Sequence, residues 1–296
     1  MRLSQATMRF SRQLAANGCS VHTLAAYQRD LGALANWLGG NPAIGRISPD
    51  SLARFLASSV ALQTPNGDPR ASITVNRVKS ALRSFFAFCV ESGWIKENPA
   101  RLIRSSPSRA KDPTVLTEDE VRRLEAATQT RIGSTTGRDR LILELFLGTG
   151  IRLGSLVGLN VGNVDLQSGT LNIRAKGGAE ARVFLNPRLV GMLGRFLKEN
   201  GTQGACGPHT PLFRGRSGRR LGARAIQLKF ARWVKVAGID RPVSVHSLRH
   251  TFATRLYEKT GDLYLVQRAL GHRNITTTEI YARVSDGALR RAVSAS

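Results

Sequence analysis

The stretch ENPARLIRSSPSRAKDP, residues 97–113, limits what this chain can fold into more than any other. Pro99, Pro107 and Pro113 interrupt it, and Ser-Ser and Pro-Ser steps and basic residues fill the rest. Proline removes a backbone donor and forces the residue before it out of the helical region, so no single helix or strand runs through this segment. The chain therefore reads as two domains, 1–105 and 116–296, joined by a linker at 106–115. With 296 residues in all, each part is long enough to bury its own core.

Before the linker, apolar residues recur at helical spacing. Ser20 is placed to cap a helix running to about Leu38, with Leu24, Tyr27, Leu31, Leu34 and Leu38 on one stripe. Ser48 is placed to cap another, to about Val60. A longer helix spans about Ser72 to Ser92 and buries Val75, Val78, Leu82, Phe85, Phe86 and Val90. Arg77, Lys79 and Arg83 fall off that stripe, where they can face a phosphate backbone.

Beyond the linker the pattern is mixed. Thr117 and Glu120 have the spacing of a capping box, in which each side chain satisfies the other residue's backbone N–H. A helix at 138–147 ends at Gly148-Thr149-Gly150, and another begins near Arg152. TLNIRAKGGAEARVFLN alternates apolar and polar residues on both sides of Gly-Gly, the signature of a β-hairpin, with Lys176 at its turn. FRGRSGRRLGAR, which holds Arg214, Arg216, Arg219, Arg220 and Arg224, reads as a loop too basic and glycine-rich to pack. The helix behind it, about 223–237, buries Ile226, Phe230, Trp233 and Val234. It turns Arg224, Gln227, Arg232 and Lys235 outward.

Charge narrows the function. Forty-four Lys and Arg against 20 Asp and Glu give a formal net charge of +24, spread along the whole chain. An excess of one sign on that scale points to a polyanion, and among polyanions to nucleic acid. No apolar run is long enough to span a bilayer, and the N-terminus lacks the apolar core of a signal peptide. Cys19, Cys89 and Cys206 share no metal-type spacing and leave one thiol over in any disulfide scheme. The expected setting is a reducing cytoplasm, in association with the nucleoid, with no membrane partner.

VHSLRHTFATRLYEKTGDLYLVQRALGHRNITTTEIYARV, residues 245–284, concentrates proton carriers, anion binders and phenols. His246 and Arg249 are three apart, so a helix puts both on one face. A further helix stops at Gly271, just before His272. Thr276 and Glu279 then form a second capping box for a short helix that presents Tyr281. His246 and His250 have the i, i+4 spacing of zinc helices, but no glutamate follows the first and no cysteine lies nearby, so no metal is expected. Neither Ser244 nor Ser247 has an activating base in view. His250, with Phe252 and Ala253 close behind it, reads as a packing residue.

Taken together, HSLRHTFATRL, LGH and TTTEIYARV resemble the tyrosine recombinase (phage integrase) family. TGIRLGSLVGLNVGNVDL resembles that family's first arginine box, and the hairpin with Lys176 resembles its active-site β-turn lysine. PTVLTEDEVRRL is similar to the start of its catalytic domain, and ITVNRVKSALRSFFAFCVESGWIKENPA to the last helix of its core-binding domain. The resemblance covers roughly residues 20–290. It implies a mainly α fold with a small β-sheet: a helical, SAM-like core-binding domain and a mixed α/β catalytic domain that clamp DNA as a C-shape.

It also implies a site made of Arg152, Lys176, His246, Arg249 and His272, with Tyr281 as nucleophile. Chemistry asks for such types. A phosphodiester anion repels an attacking phenolate, and two arginines can neutralise and orient its non-bridging oxygens. The phenol must shed a proton on attack, for which His246 is the candidate base. The departing 5′ oxygen needs an acid, the role given to Lys176, and His272 donates to the phosphate. Such attack leaves a 3′-phosphotyrosyl enzyme that a second strand's 5′ hydroxyl reverses without ATP, metal or other cofactor. Family members carry an acidic residue three positions after the first arginine; Ser155 stands there in this chain.

The expected partners are double-stranded DNA with a specific core site and three further copies of the chain. The protein would be a monomer in free solution and a homotetramer on two sites. The length suggests a compact Xer-type recombinase or a transposon or plasmid resolvase, without an added N-terminal arm-binding domain. Two other readings stay open: a type IB topoisomerase-like nicking-closing enzyme, and a DNA-binding regulator on a decayed recombinase scaffold.

Overall fold

The computed structural model describes residues 1–107, 113–129, 136–174, 180–199, 207–271, 278 and 281. The chain divides into two compact units, Met1–Ala110 and Lys111–Ser296.

Two isolated β-bridges aside, the described elements of the first unit are helices: α1 (Leu3–Ala16), α2 (Val21–Trp37), α3 (Pro49–Ala57), α4 (Ser59–Leu62) and α5 (Ser72–Glu91), with a 3-10 turn at Ile44–Arg46. Its caps are those the sequence signals. Ser20 Oγ accepts from the Thr23 N–H and Ser48 Oγ from the Ser51 N–H, both at 3.1 Å, which satisfies donors that a helix start leaves open. Phe10, Leu31, Leu34, Leu52, Phe55, Leu82, Phe85 and Phe86 form the core, with the Phe10 ring edge-on to Phe85 at 5.5 Å. The α5 face runs through Val75, Val78, Ala81, Leu82, Phe85, Phe86 and Cys89. Val90, expected there, is half-buried. The single helix expected from Ser48 to Val60 is two, because Ser58 is extended (φ −77°, ψ 159°) and breaks the ladder between α3 and α4.

The second unit opens with α6 (Glu118–Ala127), followed by α7 (Thr136–Thr149) and α8 (Leu153–Gly158). Then come β1 (Val164–Asp165), β2 (Thr170–Arg174), β3 (Glu180–Phe184) and four helices. These are α9 (Pro187–Glu199), α10 (Ala223–Val236), α11 (Val245–Thr260) and α12 (Leu263–Leu270). The three strands are antiparallel in the order β1-β2-β3, with Leu171 opposite Val183 on the buried face. Thr117 and Glu120 close their capping box reciprocally, at 2.8 and 3.2 Å. Arg241 then binds both oxygens of Glu120 and the Val115 carbonyl, so α6 is fastened to the chain entering α11. Arg241 and the hydrogen bonds from Thr117 outweigh burial and hold the Glu120 carboxyl down at about 2.

α7 is the central helix. Leu141, Ile142, Leu143, Leu145, Phe146 and Leu147 are all buried, so it is apolar on every side rather than along one stripe. Its two buried acids are paired: Glu144 with Arg188 of α9, and Asp139 with Arg138 and Lys229. A helix enclosed in this way has little freedom to shift, and the turn that follows it is correspondingly well placed.

Candidate active site

The site is built on the turn after α7, on one face of α11 and on the C-terminus of α12. Gly150, at φ +61°, turns the chain out of α7, a conformation that L side chains rarely adopt. A Cβ there would also collide with the Phe252 ring. The turn leaves Arg152 as the N-cap of α8 (φ −70°, ψ 145°), with its side chain making no capping bond. On α11, His246, Arg249 and His250 lie within two turns. α12 ends at Gly271 in the left-handed conformation (φ 60°), which exposes the carbonyl of Leu270.

That carbonyl gathers the arginines. Arg249 donates to it at 2.7 Å and to the Gly150 carbonyl at 2.5 Å, and Arg152 donates to it at 3.3 Å. A helix C-terminus carries unsatisfied carbonyls and partial negative charge, so it holds cations there. Half a charge cannot neutralise two guanidinium groups. Burial, then the Arg152 charge, lowers the Arg249 pKa to about 10, while the Tyr281 phenol acts the other way. Burial lowers that of Arg152 as well. Both remain cationic at neutral pH, and side by side they suit the oxygens of an anion.

Tyr281 faces this pair from a small cluster of its own with Ala253, Val266 and Leu270, against which Phe252, Leu256 and Tyr257 pack. It is 2% exposed. Burial raises its pKa and outweighs the opposing pull of Arg249 and Arg152, so the phenol is protonated in the resting protein. Its hydroxyl shares a hydrogen bond with Nδ1 of His250 at 3.0 Å. His250 in turn stands edge-on to His246, ring centroids 4.5 Å apart. Burial, the neighbouring His246 and Arg249 push His250 down to about 4, so it is neutral at physiological pH. His246 is open to water on its outer side; desolvation of the rest of the ring, then Arg249 and Arg152, lower its pKa too.

The structure thus brings together Arg152, His246, Arg249 and Tyr281 out of the six residues singled out in the sequence. Lys176 and His272 lie outside the described residues, as do Thr276 and Glu279. Ser155 is half-buried in the first turn of α8. His250 is the residue that sequence reasoning passed over. It is half-buried, as a packing residue is, but it also holds the phenol. Its i, i+4 spacing from His246 was the available signal, since that spacing puts both rings on one face of α11.

Several of the basic residues have partners inside their own unit. Arg77 binds the buried Asp30 and donates to the Ala26 carbonyl at 3.2 Å. Lys79 donates to Ser106 Oγ at 2.7 Å, and Arg83 to the Ile103 carbonyl at 2.9 Å and to Ser105 Oγ at 3.2 Å. The loop expected to be unpacked is a tight turn in which Arg214 and Arg220 pair through their backbones, between the buried Phe213 and Leu221. Arg220 donates to the carbonyls of Val157 and Leu159, both at 2.8 Å, and to Asn160. Arg214 is half-buried; Arg216, Arg219 and Arg224 are exposed.

Comparison with known proteins agrees with this geometry. Residues 114–287 match the phage integrase family, and residues 8–93 match the phage integrase N-terminal SAM-like domain. This chain belongs to the phage integrase family. A relative called tyrosine recombinase XerC from Xylella fastidiosa (strain 9a5c) is 38% identical over 268 residues, covering 90% of this chain and 87% of the relative. The protein of that name from Xanthomonas campestris pv. campestris (strain B100) is 34% identical over 284 residues, covering 92% and 84%. Among solved structures, XerH site-specific recombinase bound to palindromic difH substrate superposes with a TM-score of 0.75 at 24% identity, over 96% of this chain and 84% of that one. A lambda integrase(75-356) dimer bound to a COC' core site gives 0.71 at 24% identity, over 94% and 97%. At that identity the two structures speak to the family's two-domain fold alone. No described helix is long and apolar enough to cross a membrane.

Proposed function

We propose that this chain is a tyrosine site-specific recombinase that cuts and rejoins duplex DNA through a 3′-phosphotyrosine intermediate. The observation that carries the reading is the convergence of two guanidinium groups and a phenol on one place, in a chain of this family. The non-bridging oxygens of a DNA phosphate would settle between Arg152 and Arg249, which stabilise the charge that builds as phosphorus becomes five-coordinate. Tyr281 attacks phosphorus, its oxygen forming the new bond as the bond to the 5′ oxygen breaks. His246, neutral and at the open side of the pocket, takes the phenol's proton. Lys176 delivers a proton to the departing 5′ oxygen, and His272 donates a hydrogen bond to the phosphate. The covalent link conserves the phosphodiester bond, so rejoining to a partner strand is close to isoenergetic and needs neither ATP nor a cofactor.

Both the N-terminal unit and the catalytic unit are assigned to the DNA, with a linker over 106–115 joining them. Arg216, Arg219 and Arg224, exposed around the start of α10, are assigned to the phosphate backbone, with Arg214 beside them. Arg77, Lys79, Arg83 and Arg220 reach it only by giving up part of their internal bonding. Four copies on two sites carry out the exchange, in the cytoplasm on nucleoid DNA. The relatives named XerC favour this reading over a nicking-closing enzyme or a decayed regulator.

A plasmid carrying two copies of the core site tests it. Incubation with the purified chain should give deletion or inversion products according to site orientation. Relaxation of supercoils with no exchanged product would make the chain a nicking-closing enzyme, and binding without either product would make it a regulator.

A further inference from the structure

The recombinase reading uses His246 and leaves His250 without a role, yet His250 is the residue bonded to the phenol. Three observations bear on it. Its Nδ1 lies 3.0 Å from the Tyr281 oxygen, a good hydrogen bond. Its ring is fixed from the other side by His246, edge-on at 4.5 Å. Finally, it sits on α11 one residue from Arg249, so the helix that places the anion-binding guanidinium also places the group that holds the nucleophile. A phenol hinged only at its Cβ can swing its oxygen by several ångströms. This one is tied to the same rigid element as the arginine.

We infer that His250 is a positioning residue for Tyr281, fixing the phenol oxygen relative to Arg249 through the Nδ1 hydrogen bond. This rests on the recombinase reading above. The bond can be made in either imidazole tautomer, so it does not depend on which nitrogen carries the proton. His250 is not the base. A ring held at about 4, facing Arg249, His246 and a phenol whose own pKa is raised, is too weak to take that proton. Its service is geometric, and a misplacement of the order of 1 Å at a reacting atom can cost about 100-fold in rate.

The test compares His250→Leu, which fills the space without a hydrogen bond, with His250→Asn, whose amide can meet the phenol as donor or acceptor. The probe is a nicked duplex carrying the inverted repeat that the wild-type protein selects from a randomised library, so that cleavage traps the covalent adduct. Single-turnover adduct formation should fall roughly 10- to 100-fold in His250→Leu and return to within about 5-fold of wild type in His250→Asn, with duplex affinity unchanged in both. Wild-type rates in His250→Leu would reduce the residue to packing. A faster rate there would make the bond a restraint on the nucleophile. Equal loss in both variants would mean that the ring and not the hydrogen bond matters. Each of these overturns the inference while leaving the recombinase reading intact; a wild-type protein that forms no adduct removes both.

Discussion

Arg152 and Arg249 donate to the same acceptor, the carbonyl oxygen of Leu270, at 3.3 and 2.7 Å. Two like charges are held side by side by the end of one helix. Lysine at either position keeps the charge but loses the planar fork that can bond a backbone carbonyl and a phosphate oxygen at once. Arg249→Lys should therefore slow adduct formation by about 100-fold or more while leaving duplex affinity within a few-fold of wild type. Single-turnover rates and a binding isotherm check this. A variant that cleaves at wild-type rate would mean that the guanidinium pair does not meet the scissile phosphate.

Gly150 sets up that pair. Its positive φ and its closeness to Phe252 exclude a side chain, and its carbonyl receives Arg249. Gly150→Ala should cost about 1–2 kcal/mol for the left-handed backbone alone, and more for the clash. Denaturant unfolding should show the loss, and adduct formation should fall with it because Arg249 is displaced. Unchanged stability would show that the turn is not constrained in this way.

The His250 pKa has a consequence for stability against pH. The ring titrates near 6.5 when exposed and at about 4 in the fold, so between those values the unfolded chain binds the extra proton. Stability due to this group is therefore complete above about pH 6.5, falls as pH drops towards about 4, and changes no further below. Glu120, held at about 2 against 4.5, loses its contribution only at lower pH, between those two values. Unfolding free energies at pH 7.5, 6 and 5 should thus fall less steeply in His250→Asn than in wild type. Parallel slopes would show that the ring titrates normally in the folded protein.

Duplex affinity should fall steeply with salt, because each neutralised phosphate releases counterions. Arg216→Ala, Arg219→Ala and Arg224→Ala should each lower the slope of log affinity against log salt by about 1 without changing stability. Arg220→Ala should behave the other way. It removes bonds to Val157, Leu159 and Asn160, so the melting temperature drops while the salt slope holds. If Arg220→Ala alters the slope as the changes at Arg216, Arg219 and Arg224 do, its internal bonds give way to DNA.

Local signals in the sequence translated well into local structure. Ser20, Ser48 and the Thr117–Glu120 box cap the helices that they announce, and the alternating residues 170–174 and 180–184 pair as antiparallel strands. What the sequence hid was longer in range. Arg77 lies off the apolar stripe of α5, which is all that periodicity can show; that Asp30 waits for it on α2 depends on how two helices pack. Arg220 likewise belongs to a glycine-rich basic loop until folding brings three acceptors to it. α1 packs Leu3, Ala6, Phe10 and Leu14 at helical spacing, a stripe that sequence reasoning passed over, and β1 is two residues long, too short to alternate. In the site, Arg152, His246, Arg249 and Tyr281 could be picked out by motif. The bond from His250 to a phenol 31 positions along the chain could not.

Tyr281 as the atom that breaks DNA is the claim on which all else depends. The direct measurement is to trap the adduct on the nicked duplex, digest both components, and locate the nucleotide by mass spectrometry. The expected result is a 3′-phosphonucleotide on the peptide that contains Tyr281, and no adduct at all from Tyr281→Phe. Attachment at Tyr257 or Tyr264, or an undiminished adduct in Tyr281→Phe, would contradict it.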